Sequence, residues 1–191
     1  MVKKITKYQI ISLYLDDYNR KYYLREIASL LKKPHQTVKP HLDELCKEKI
    51  LIKTERKNLV EFGIDQKNNL VWDYIVIAEK EALINRLQSD TVLRLLFDKI
   101  SCFFRKNTFI IFGSSVEKIQ KGSDIDLLIV GNENVKKVLE EFELVYNKKV
   151  HKIQVSEIEN ISPLLFNEIY KKHLILNNTE YIVRYFGEKY G

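Results

Sequence analysis

The sequence predicts an α+β protein in two parts: a small helical domain closed by a β-hairpin, then a small α/β domain with a short mixed sheet. Three observations carry this. Apolar residues recur at helical spacing from Ile5 to Cys46 and then switch to strand-like runs. Two short apolar strands, Thr108 to Phe112 and Asp124 to Val130, flank a polar spacer. Charge is also divided unequally. Residues 1–60 hold 14 Lys+Arg against seven Asp+Glu, a net of +7, whereas residues 61–191 hold 18 against 19, a net of −1.

In the first part, Ile5, Tyr8, Ile11 and Leu15 define a helix running to about Asp17. Tyr18-Asn19-Arg20-Lys21 is a polar break. Leu24, Ile27, Ala28 and Leu31 form a second apolar stripe. Lys32-Lys33-Pro34 reads as a turn, because proline tolerates a helix start and not an interior. Val38, Leu42, Leu45 and Cys46 form a third stripe. Ile50-Leu51-Ile52 and Leu59-Val60-Glu61-Phe62 then read as strands around Thr54-Glu55-Arg56-Lys57-Asn58. Three helices and a basic hairpin in this order make a winged helix-turn-helix, assigned to residues 1–66.

In such a module the second helix of the pair enters the DNA major groove. Here that helix starts at about His35, and its inward stripe leaves Gln36, Thr37, Lys39 and His41 outward or near its start. Glutamine can bond adenine, and lysine can meet phosphate or guanine. Arg56 and Lys57 at the hairpin tip would lie along the DNA backbone or minor groove. Pro40 falls in the helix body, so the sequence predicts either a kink or a later start. The run His35-Gln36-Thr37-Val38-Lys39-Pro40-His41-Leu42 resembles recognition helices of prokaryotic winged-helix regulators, particularly archaeal ones. The bland alternative is a solvated lysine face, a protein-binding surface or a dimer interface. Winged-helix regulators commonly dimerise, so a homodimer is a candidate assembly, although no heptad or zipper is present.

Asp65-Gln66-Lys67-Asn68-Asn69 is a polar connector and the expected boundary to a second domain at residues 67–191. Residues 72–105 read as helical, with Ser89 or Asp90 as an N-cap that divides them. After the strand at Thr108–Phe112 come a spacer at Ser114–Ser123, the strand at Asp124–Val130, a helix at Asn134–Val145 and a third strand at Val150–Val155. Short helices follow Glu157, with an extended piece at Leu174-Ile175-Leu176.

Composition bounds the rest. Apolar residues make up 45% and charged ones 30%, with six Gly and three Pro, which excludes a disordered chain. No apolar run approaches the ~20 residues that span a bilayer. Met1-Val2-Lys3-Lys4-Ile5 lacks a signal-peptide core, so a cytoplasmic protein with no membrane partner is expected. Cys46 and Cys102 have no CxxC spacing, which argues against structural zinc and for buried, reduced thiols.

The chemistry concentrates at the two apolar strands. Gly113 ends the first strand and permits close backbone approach. Ser114 and Ser115 offer hydroxyls, and their amides would open a short helix, a ready phosphate site. Asp124 and Asp126 alternate along the second strand, so both carboxylates face one side while Ile125 and Leu127 face the core. Carboxylates so placed suit a divalent cation such as Mg²⁺. No Gly-Lys-Ser/Thr follows, so this is not a P-loop.

Phe112-Gly113-Ser114 and Asp124-Ile125-Asp126-Leu127, with Gly122-Ser123 before the first aspartate, resemble the signature of the DNA polymerase beta-like nucleotidyltransferase superfamily over about residues 90–185. The resemblance implies that Gly113, Ser114, Ser115 and Ser123 hold phosphates and that Asp124 and Asp126 hold Mg²⁺. It also implies a nucleoside triphosphate substrate, with ATP expected. Two departures matter. Val116-Glu117-Lys118 replaces an Ala-Arg-Gly-like run, leaving Lys118 as the substitute phosphate contact. Catalytic members also carry a third carboxylate on a later strand, and Val150-His151-Lys152-Ile153-Gln154-Val155 has none. His151 fits that place best, as ligand or base; Gln154 fits it less well, and Glu143 belongs to the preceding helix.

Three functions follow as expectations. One is a DNA-binding protein that transfers a nucleotidyl group to an unknown acceptor. Another is a transcription regulator whose transferase domain is inactive and serves as nucleotide sensor or dimerisation module. The third is one half of a toxin–antitoxin type pair that modifies a partner protein or transfer RNA.

Overall fold

The computed structural model describes residues 5–56, 59–119 and 122–190, with Arg56 described at its backbone only. Contacts divide the chain into two units, Met1–Glu79 with Glu180–Gly191, and Lys80–Thr179. The division falls inside a helix, beyond the polar connector at residues 65–69.

The first unit begins with α1 (Lys7–Ile11), whose capping box pairs the Thr6 hydroxyl with the Gln9 amide and the Gln9 side chain with the Thr6 amide, both at 3.2 Å. It tightens into a 3₁₀ turn at Ser12–Tyr14, so the helix stops short of Asp17. A short strand, β1 (Lys21–Tyr23), occupies the end of the expected polar break. There follow α2 (Leu24–Leu30), α3 (His35–Lys47), β2 (Leu51–Arg56) and β3 (Leu59–Ile64). The three strands form an antiparallel sheet in the order β1-β3-β2. Pro40 does not break α3: it lies on the exposed face, opposite the buried Val38, Leu42 and Leu45.

Ile10, Ile11, Ile27, Val38, Leu42 and Leu45 form the buried centre of this unit. Tyr14 is buried among them and donates its hydroxyl to the Phe62 carbonyl at 2.9 Å, which fixes the first helical turn to β3. Burial pushes the Tyr14 phenol far up, so it stays a neutral donor. The helices α2 and α3 end at Lys32 and Lys49, both left-handed at φ 52° and 57°. In each case the next amide turns back, Lys33 to the Ala28 carbonyl and Ile50 to the Leu45 carbonyl, both at 2.9 Å. These are Schellman caps made without glycine.

The helix α4 (Leu70–Ser89) runs from this unit into the second, and α8 (Thr179–Tyr190), the last helix, belongs to the first unit for most of its length. Val71, Ile75, Ala78, Ile182, Val183 and Phe186 are buried. Gly187 of α8 lies against the Trp72 ring, so close that an added Cβ would stand 2.5 Å from Trp72 Cη2. The Asn19 side chain donates to the Tyr190 carbonyl at 2.6 Å.

The second unit is built on a four-stranded mixed sheet. Its strands are β4 (Thr108–Phe112), β5 (Ile125–Val130), β6 (Val150–Val155) and β7 (His173–Ile175), in the order β6-β5-β4-β7. Only β5 and β6 are parallel. The side chains of Phe109, Ile111, Ile125, Leu127, Ile129 and Val150 form one core with α5 (Thr91–Ile100) and α6 (Lys136–Tyr146). Asp90 caps α5 as expected, its side chain accepting the Leu93 amide at 3.0 Å. The helix α7 (Pro163–Lys171) precedes β7. At one end of the sheet the buried Asn177 accepts the Phe109 amide and donates to the Phe104 and Asn107 carbonyls. Both cysteines are free thiols; Cys46 is half-buried, and Cys102 is exposed rather than buried.

Alanine is favoured over glycine inside a helix by about 1 kcal/mol, yet Gly187→Ala is expected to lose about 1–3 kcal/mol by overpacking against Trp72. Thermal melting checks this. The midpoint should fall in Gly187→Ala, and the fall should shrink when Trp72→Leu is added. A raised midpoint in the single variant would contradict the close approach.

Candidate functional site

The packing of β5 aims the carboxylate of Asp126, whereas the expected alternation of Asp124 with it along the strand does not hold, because β5 begins at Ile125. Ile125, Leu127 and Ile129 point into the helix-covered core, so Asp126 projects from the opposite face. The register sets Asp126 between Phe112 of β4 and His151 of β6. His151 Nδ1 lies 3.2 Å from Asp126 Oδ1. The His151 side chain is 64% exposed and that of Asp126 30%. Asp124 stands just before the strand and is exposed. Of the two β6 candidates, His151 lies beside Asp126 and Gln154 does not. Gln154 donates to the Gly131 and Glu133 carbonyls, and Glu143 of α6 accepts the Val150 amide at 2.7 Å.

Gly113 sits at φ +68°, and an added Cβ would stand 2.9 Å from Asp126 Oδ2. Glycine is needed twice over, for the left-handed backbone and for the carboxylate packed against it. The following segment, Gly113–Val116, is a single 3₁₀ turn and not the opening of a longer helix. Its two serines differ in kind. Ser114 is exposed. Ser115 is fully buried, and its hydroxyl donates to the Asp124 carbonyl at 2.9 Å, tying the turn to the start of β5. Its hydroxyl is thus committed within the fold rather than offered to a phosphate. Lys118 is exposed. Ser123 is half-buried with its hydroxyl 3.5 Å from Nζ of Lys148, a lysine only 9% exposed.

Arg86 and Asp90, absent from the sequence reading of the site, hold this turn from behind. Arg86 Nε donates to the Val116 carbonyl at 2.7 Å, and a terminal nitrogen reaches the Ser115 carbonyl at 3.3 Å. The same guanidinium pairs with Asp90 at 3.1 Å, and Asp90 also accepts the Ile119 amide at 3.3 Å. Burial alone would raise the Asp90 pKa. Hydrogen bonds from the Leu93 amide, Arg86 and the Ile119 amide outweigh it and hold the carboxyl below its ordinary value. The sequence signal was partial: Asp90 reads as an N-cap and Arg86 lies one turn earlier, but their reach to residues 115–119 is tertiary.

Among the described residues no group of three or more His, Cys, Asp and Glu is assembled to hold a metal ion. Asp124, Asp126 and His151 are all described, so the contact present is that of Asp126 with His151, and Asp124 does not join it as a third donor. Asp126 suits a cation that takes one or two carboxylates and completes its shell with water and phosphate oxygens, which is how Mg²⁺ binds.

In the first unit, Gln36, Thr37 and Lys39 of α3 are exposed and His41 is half-buried. Lys57 and the Arg56 side chain lie outside the described residues. Among the described residues no helix is long and apolar enough to cross a membrane.

Residues 98–181, somewhat less than half of the chain, match the family model described as "Polymerase beta, Nucleotidyltransferase". The matched range contains Gly113, Ser114, Asp124, Asp126 and His151. The match supports the nucleotidyltransferase superfamily for this part of the chain and, in general terms, nucleotidyl transfer. No curated protein and no solved structure matches the chain.

Arg86→Met should leave the half-buried Asp90 without its cation and cost about 1–2 kcal/mol, between the scales of exposed and fully buried pairs. Asp90 is depressed in the fold, so its contribution is present above the unfolded carboxylate value of about 3.9. It is lost as pH falls through the lower folded value. Denaturant titration from neutral pH to about pH 3 checks both points. The wild type should lose stability toward acid more steeply than Asp90→Asn, and equal slopes would contradict the role given to Asp90.

Proposed function

We propose that the second unit binds a nucleoside triphosphate with Mg²⁺ and transfers its nucleotidyl group, and that the first is a winged helix-turn-helix that binds DNA. The observation that carries the first half is the Asp126 carboxylate packed on Gly113, beside the exposed Ser114 and within hydrogen-bond distance of His151. The family match over residues 98–181 supports the same reading. Asp124 and Asp126 would hold the cation, which neutralises phosphate charge and orients the leaving group when bound. Gly113 and Ser114 would take phosphate oxygens, with Lys118, Ser123 and Lys148 at the edge of the same loop. ATP is the expected triphosphate.

The reaction then balances simply. An acceptor oxygen attacks the α-phosphorus, a new phosphorus–oxygen bond forms, and the bond to the β-phosphate oxygen breaks to release pyrophosphate. The acceptor proton needs a base. With Nδ1–H of His151 directed at Asp126, Nε2 is the nitrogen left to take the acceptor proton. Asp126 thus fixes the tautomer as well as offering a ligand oxygen.

One observation favours a second reading, in which the unit binds nucleotide without turnover and serves a transcription regulator. The strand beside β5 carries His151 where transferring members of the superfamily place an acid, and no third carboxylate joins the pair among the described residues.

For the first unit, the order of helices and strands, the sheet order β1-β3-β2 and the exposed Gln36, Thr37 and Lys39 on α3 support DNA as partner. The net of +7 over residues 1–60 points the same way.

Incubation with α-labelled triphosphates and Mg²⁺ should show label transfer to an acceptor in a cell extract. Asp124→Asn with Asp126→Asn should abolish it, and His151→Ala should lower it about 100-fold with nucleotide binding retained. Transfer that survives the double asparagine variant would overturn the assignment, whereas binding without any transfer would select the second reading. Separately, Lys39→Glu should weaken DNA binding uniformly across sequences and reduce the slope of log affinity against log salt by about 1. An unchanged salt slope would remove Lys39 from the interface.

A further inference from the structure

The first unit carries a hollow of its own, apart from the aspartates of the second. It has a volume of about 630 Å³ and lies between α2, α3 and the β2–β3 hairpin. That volume suits a small molecule, for which sites run from about 300 to 1,000 Å³. Leu24, Leu59, Val60 and Phe62 line it. Leu59 is 55% and Val60 38% exposed, so apolar surface stands open to water here.

The charges at its rim are unequally committed. Asp43 is bound to Lys53 at 2.8 Å, and Lys53 also lies over the Phe62 ring at 5.8 Å. The Glu26 carboxylate accepts the Tyr23 amide at 2.7 Å. Both acids thus have partners inside the fold. Arg25 and Lys39 also line the hollow, are exposed, and make no hydrogen bond or ion pair among the described residues. The rim therefore presents two cations with no direct ion pair above an apolar floor, Lys39 lying near enough to Asp43 to act on its carboxylate through space.

We infer that this hollow binds a small amphipathic anion, an apolar or aromatic body bearing a carboxylate, with Arg25 and Lys39 on the acid and Leu24, Leu59, Val60 and Phe62 around the body. The combination of volume, apolar lining and paired cations selects this class. A nucleic-acid backbone would leave the apolar floor wet, and a cationic ligand would meet the wrong charge. The site shares Lys39 with the proposed DNA interface, but it rests on the cavity and requires neither DNA binding nor nucleotidyl transfer.

The test uses the full chain and two probes of one shape, phenylbutyrate and the neutral phenylbutanol, titrated while amide shifts are followed by NMR. Phenylbutyrate should saturate, with shifts centred on residues 23–26 and 59–62. Phenylbutanol should bind about tenfold more weakly, the scale of one charge-assisted hydrogen bond. Arg25→Glu with Lys39→Glu should erase that preference. Val60→Trp, a change at an exposed position, should block both probes with the circular dichroism spectrum unchanged. Equal affinity for the two probes, shifts outside the cavity, or no saturation would overturn the proposal. So would a concentration-dependent dimer that protects Leu59 and Val60, because a second copy would then be the occupant.

Discussion

The buried face of β5 decides where the chemistry of the second unit points. Ile125, Leu127 and Ile129 must meet α5 and α6, and a strand alternates sides with every residue. Asp126 is therefore forced to the other face, and the pairing with β4 and β6 sets Phe112 and His151 on either side of it. A slip of one residue would turn the carboxylate into the core, together with Leu128 and Val130, which are buried on its own face. The apolar pattern thus protects the site without touching it.

A second layer holds the turn that faces Asp126. Gly113 gives the carboxylate room, and Ser115 ties the turn to the Asp124 carbonyl. Arg86 takes two more carbonyls of the same segment while Asp90 holds the Ile119 amide. The polar groups of this region fall into two sets. Those bonded inward shape the backbone, and Ser114, Asp124 and His151 are exposed, His151 with one ring nitrogen on Asp126. A backbone braced in this way leaves little to rearrange when a ligand binds.

Legibility from sequence followed the range of the interactions. The strands at 108–112 and 150–155 and the N-cap at Asp90 were readable because apolar runs and capping are local signals. β1 was not, since three residues carry no period and its strand character comes from pairing with β3. The ends of α2 and α3 lacked a glycine because Lys32 and Lys49 take the left-handed position instead. Ser114 and Ser115 are chemically identical neighbours, and only the turn of the backbone makes one a surface hydroxyl and the other a buried tie. The Arg86 contacts cross about 30 residues of sequence, and Gly187 meets Trp72 across more than 100; neither leaves a pattern that a window could catch.

The central claim is that Asp126 and the turn at Gly113 form a cation and triphosphate site. Paramagnetic broadening by Mn²⁺, followed by NMR on the full chain with ATP present, tests it directly and without requiring turnover. The account predicts broadening centred on residues 113–114, 124–126 and 151, abolished by Asp126→Asn. Broadening spread over the surface, or centred elsewhere and indifferent to that substitution, would contradict it.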